Sequence, residues 1–187
     1  MPIVLNGSTS GSITIDAPAV AGTPTLTLPT VTGTVLTTTS PKAGNVIQVV
    51  STTKTDTFST SSTSFVDVTG LSVSITPSSS SSKILVMLTC GSIGNTVNST
   101  KLNIVRDSTN IAQPASGANS STINHFPGGS TNAIGDCASF LDSPATTSST
   151  TYKIQFAVDG STGYLNRHTG NTDYNSVSTI TVMEIAG

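Results

Sequence analysis

The sequence predicts an all-β chain: an extended N-terminal β stem followed by an antiparallel β-sandwich head of jelly-roll type. Three observations carry this. Short runs of alternating apolar and hydroxyl residues recur along the 187 residues, separated by Gly, Pro, Asn and Ser clusters. No stretch long enough for a surface helix shows apolar residues at helical spacing. The composition itself favours strands, because Thr, Val and Ile dominate and Ser with Thr supply roughly a third of the chain. Lys and Glu, the usual material of a soluble helix surface, are scarce.

The stem is read over residues 1–41. Ser12–Asp16, Thr25–Pro29 and Gly33–Leu36 alternate, with small-residue turns between them and no aromatic residue before Phe58. Each run offers only two or three apolar side chains. A sheet this thin needs a second layer, which another copy of the same chain supplies most simply. Ile13, Ile15, Leu26, Leu28 and Val35 are the candidate interface residues of the stem. Thr37–Gly44 lacks any apolar pattern and reads as the boundary.

The head is read over residues 42–187. Val46–Ser51 opens it as a strand, with Thr55–Ser59 continuing past a polar bend. Phe65–Val68 and Leu71–Ile75 follow as two short runs, and the five serines Ser78–Ser82 read as a surface turn. Lys83–Cys90 is the most apolar segment. Consecutive apolar positions there predict a central strand covered on both faces, or one whose outer face meets another subunit. Thr100–Asp107 alternates into a turn, and Ile111–Gln113 is its return arm. Ile123–Phe126 ends at Pro127-Gly128-Gly129, and Ala133–Leu141 gives another strand. In Thr151–Val158, Tyr152, Ile154, Phe156 and Val158 share one face, and Thr151, Lys153 and Gln155 the other. Gly163–His168 starts a short strand that enters the polar loop 169–175. Val177–Ile185 closes the head, apolar on both faces near Val182 and Met183. Val182, Met183 and Ile185 are therefore added to the interface candidates.

Charged residues make up 9 % of the chain and the net charge is −2, so no basic field attracts nucleic acid. No apolar run is long enough to span a membrane as a helix, and the first residues lack the pattern of a secretory signal. Cys90 and Cys137 both read as small buried residues, and a disulfide between them is disfavoured in a reducing compartment. The chain has two histidines, His125 and His168, which read as loop or rim residues. No nucleophile-elbow pattern, zinc-finger spacing or calcium-loop spacing accompanies them. No catalytic residue, metal site or cofactor is expected.

The recognition candidates lie in one short stretch. Tyr164, Asn166, Arg167, His168, Asn171, Asp173 and Tyr174 gather two tyrosines, a cation and several planar amides, which suits a receptor-binding surface. The bland alternative is that Tyr164 and Tyr174 pack the sandwich rim. Residues 95–99, 113–119 and 125–129 are weaker candidates, as turns of any sandwich would be.

The residues also carry a resemblance. Leu5–Ile15, Thr25–Pro29 and Gly33–Leu36 resemble the N-terminal region of tail-fibre proteins of tailed bacteriophages, particularly cyanophages. Ile75-Thr76-Pro77, Lys83–Val86, the Ser/Thr-rich turn before Tyr152, and Thr179–Ile185 are similar to the associated C-terminal sandwich. The resemblance implies a homotrimeric fibre whose N-terminal part joins the baseplate or other virion proteins. Its head would meet a host surface glycan or protein. The chain departs from long fibres in having no extended shaft. That departure leaves open a complete short fibre, a distal tip or a fibre mounted on the capsid, so a capsid-associated head fibre or decoration protein is the first rival. The second, a surface-polysaccharide depolymerase, is disfavoured by the few acidic residues and the absence of a long groove-forming β-helix.

Overall fold

The computed structural model describes residues 3–6, 8–15, 22, 41–95, 98–117, 120–126 and 134–187. Two compact units result, Met1–Val35 and Leu36–Gly187. In the first, β1 (Ile3–Asn6) pairs antiparallel with β2 (Ser12–Ile15), Leu5 opposite Ile13. The sequence reading placed no strand at β1. Ile13 and Ile15 fall on β2, whereas Leu26, Leu28 and Val35, with the two later runs of the stem, lie outside the described residues.

The second unit holds eleven strands: β3 (Val46–Lys54), β4 (Phe58–Thr60), β5 (Val66–Ile75), β6 (Lys83–Gly94), β7 (Thr100–Arg106), β8 (Thr109–Ile111), β9 (Ile123–His125), β10 (Ile134–Asp142), β11 (Thr150–Val158), β12 (Gly163–Leu165) and β13 (Ser178–Ile185). Every pairing is antiparallel. One sheet is built around β6, with β10 on one edge and β13 then β12 along the other; β3 and β4 flank these in turn. The second sheet runs β5-β11-β7, with β8 and β9 sharing the far edge of β7.

The pairings nest. β3 pairs β13, β5 pairs β11, β6 pairs β10, and β7 pairs β8 and β9. A long hairpin folded over on itself gives this order, and it is the jelly-roll sandwich that the strand spacing predicts. Its core lies between the sheets. Ile84, Val86, Leu88, Ile180 and Val182 from one sheet meet Leu71, Val73, Leu102, Ile104, Tyr152, Ile154 and Phe156 from the other. The even-numbered apolar residues of β11 are all buried, as alternation requires.

Three local readings are corrected. Phe65–Val68 and Leu71–Ile75 are not two strands: β5 runs through Gly70, whose φ of 79° lets the chain bulge and keep pairing β11. The strand at Lys83 is central, but among the described residues its outer face is open, with Met87 42 % exposed, so of its two readings the one with both faces covered within the head is set aside. Val182 points into the core and is fully buried, so it is no interface residue of the monomer's surface; Met183 and Ile185 face outward, half-buried.

Candidate functional site: the loop between β12 and β13

The register fixes where this loop stands. The chain enters the head at residues 41–45, where the Gly44 and Ala186 backbones bond at 2.8 Å. From there β3 runs to Lys54 and β6 runs alongside from Lys83 to Gly94, about 36 Å at the usual strand rise. The loop leaves the sheet beside the last residues of β3 and β6. It therefore lies toward the end of the head away from the chain's entry.

Asn166 anchors it. Its side chain is fully buried, and its amide donates to the carbonyls of Lys54 (3.0 Å) and Asp56 (3.1 Å). Its Oδ1 accepts from Ser178 Oγ at 2.6 Å, and its backbone joins Ser92 on one side and Ser176 on the other. The φ of 63° is a conformation asparagine tolerates better than most residues. Gly91 admits the loop's return arm, since a Cβ there would stand 2.4 Å from Ser176 Oγ and 2.7 Å from the Val177 carbonyl. Sequence reasoning placed Asn166 among the recognition residues; its burial assigns it to the scaffold.

The remaining candidates fall into two groups. The Arg167 guanidinium carbon lies 4.3 Å from the Tyr164 ring centre, a cation–π contact with both side chains half-buried. Further out, His168 and Tyr174 meet edge to face with centroids 6.1 Å apart, and the His168 N–H donates to the Tyr174 carbonyl. Short-range bonds stiffen the tip: Gly170 N–H to His168 Nδ1, Asp173 N–H to Asn171 Oδ1, and Asn175 Nδ2 to the Thr172 carbonyl. Tyr174 is 67 % exposed, and Asp173 is exposed beside it. Tyr164 thus packs the rim, while Tyr174 stands clear of it. The surface so made combines an aromatic face, a cation and several amide edges.

Other loops share that end. Asn95 Nδ2 donates to the Gly160 carbonyl, Val158 N–H to the Ser62 carbonyl, and Asp159 N–H to the Ser99 carbonyl. Asp159 accepts from Ser99 Oγ and Lys101 Nζ, and these donors hold its carboxyl below the usual range. Phe126, just past β9, is strongly exposed.

Of the two histidines, His168 lies in the loop as expected and His125 does not. His125 is not a rim residue; it lies buried on β9 opposite Thr100, with Nδ1 3.7 Å from Asp136. Alternation along β9 turns it inward, which a three-residue strand signals too weakly to be read. The cysteines are both free. Cys90 is buried, and its thiol is pushed up to about 12 by that burial first and by Asp136 second. Cys137, read as buried, is exposed on the outer face of β10.

No family model matches the chain, and no curated protein matches it. Among solved structures, it is similar to a chain in the structure of infectious bursal disease virus, Gt strain, at 15 % identity and a TM-score of 0.37. The match covers 98 % of this chain and 46 % of that one, so the chain spans less than half of the structure it matches.

Proposed function

We propose that the chain is a structural virion protein, a short homotrimeric tail fibre of a bacteriophage. Residues 1–41 attach it to the virion and begin its assembly, and the head contacts a glycan or protein on the host surface. One observation carries the division of labour. The loop that bears Tyr174, Arg167 and His168 stands away from the point where the stem's chain enters the head. A module tethered at one end presents its other end to a target. The stem's resemblance to tail-fibre N-termini supports the virion location, with assembly in the host cytoplasm. With only nine Asp and Glu residues, the chain offers little material for a paired-carboxylate site, which supports a reading of binding without catalysis; no cofactor, metal, nucleic acid or membrane insertion is part of it.

Immunogold labelling of intact particles with antibody against the head tests this. Gold at the tail is expected. Gold over the capsid would replace the reading with a capsid-associated head fibre or decoration protein, and unlabelled particles would overturn it.

A further inference from the structure

The two outer faces of the sandwich differ sharply in chemistry. On the second sheet, Lys153 bonds Asp67 at 2.7 Å, Gln155 bonds the same carboxylate at 2.8 Å, and Ser74 bonds Thr151. That is an ordinary water-facing surface. The first sheet's outer face reads in rows across four strands. Val49, Met183, Leu85 and Leu141 form one row; Ser51, Thr181, Met87 and Ser139 form the next; Thr53, Thr179, Thr89 and Cys137 form the third. None of these twelve residues is charged. Val49 is 54 % exposed and Leu141 53 %. Two of the hydroxyl pairs are already bonded to each other, Ser51 to Thr181 at 2.9 Å and Thr53 to Thr179 at 3.0 Å, so they ask little of water.

We infer that this face, with the adjoining free edge of β10, is the surface through which heads pack against one another. The inference rests on the homotrimeric reading above and names the contact that reading leaves open. Four strands by five residues give a footprint of roughly 320 Å², half apolar and half hydroxyl side chains. Its neutrality fixes the occupant. A charged peptide, an acidic glycan or a nucleic acid finds no ion partner among these twelve residues, Lys83 standing at the margin beyond Leu85, whereas a second copy offers the same neutral mixture of aliphatic and hydroxyl groups. The edge supplies the other half. β10 pairs only β6 among the described residues; Asp136 and the register shift beside it mark its start and Asp142 its end, but residues 137–141 between them hold no charge and no Pro. A sheet face and a sheet edge are two different surfaces side by side. A ring of identical subunits needs two such unlike surfaces, and a two-fold dimer needs one.

Cys137 is a native probe of the face, and Cys90 stays buried in the core. The full chain is first sized by light scattering and then reacted with a small maleimide. Leu141→Lys and Ser74→Lys are compared with the wild type, each checked for folding by circular dichroism. In a wild-type trimer Cys137 is expected to react at least tenfold more slowly than in Leu141→Lys, and Ser74→Lys is expected to behave as the wild type. A wild-type trimer whose Cys137 reacts as fast as in Leu141→Lys overturns this surface alone. A wild-type monomer of 18.9 kDa overturns the trimer and the surface together.

Discussion

Ser82, the last residue of the five-serine run, donates a 2.7 Å hydrogen bond to Oε1 of Glu184 on the final strand, inside a fully buried site. The same oxygen accepts from the backbone N–H and hydroxyl of Ser78, and Oε2 accepts from Gln48 at 2.6 Å. Burial raises the carboxyl's pKa, but the donors from Ser78, Gln48 and Ser82 outweigh it and hold the group below the usual range. A depressed folded-state pKa stabilises the head fully above the unfolded value of about 4.3, and that contribution is lost as pH falls through the folded value. Glu184→Gln is expected to cost about 2 kcal/mol at neutral pH. Urea denaturation at successively lower pH should show the gap between wild type and variant closing; a constant gap would refute the assignment.

Asn166 makes a second prediction. Asn166→Ala strands two backbone carbonyls and the Ser178 hydroxyl and forces alanine into a left-handed φ, for a loss of about 3 kcal/mol. Asn166→Gly removes the conformational part and is expected to recover about 1 kcal/mol of it. Equal losses for the two variants in denaturant melts would show that φ contributes nothing.

A polar tie crosses the sandwich. Arg106 Nη1 on β7 lies 2.8 Å from both oxygens of Asp142 on β10, and the Tyr152 hydroxyl on β11 donates to Oδ2 at 2.7 Å. Burial first, and the Asp142 carboxylate next, push the phenol's pKa up, so Tyr152 remains a donor throughout the ordinary pH range. Asp142→Ala leaves that hydroxyl and the guanidinium without their acceptor and is expected to cost about 3–5 kcal/mol. Tyr152→Phe should cost about 1 kcal/mol. The double variant is expected to fall short of the sum, because the two changes share one interaction; strict additivity in chemical unfolding would contradict the tie.

Tyr174 tests recognition separately from folding. Its side chain is mostly exposed and meets the His168 ring edge to face, so Tyr174→Ala should change stability by no more than about 0.5 kcal/mol. Loss of an aromatic anchor from a binding surface is expected to weaken attachment of the purified protein to host cells about tenfold or more. Undiminished attachment, measured by fluorescence on whole cells, would move the contact to another loop.

The fold was legible where period two and turn chemistry coincide. β11 displays both, ending just before Asp159-Gly160, and β7 and β13 display the alternation. What could not be read depends on partners far along the chain. Asn166 looks like any amide in a polar loop until Lys54, Asp56 and Ser178 close around it. Glu184 looks like a surface carboxylate until the serine run folds over it. Gly70 punctuates a strand pattern, and only its pairing with β11 distinguishes a bulge from a break. Cys137 sits among small residues, and the single-residue parity of β10 decides which side it faces.

The nesting of the strands sets an order on synthesis. The outermost pair joins β3, the first strand of the head to be made, with β13, the last. Until residues 178–185 emerge, residues 83–89 of β6 have no backbone partner along the edge that β13 will occupy. The β1–β2 pairing, by contrast, joins strands separated by only residues 7–11, so both its partners are made early. In the homotrimer proposed above, the stems of neighbouring nascent chains would be made, and could meet, before any head is complete.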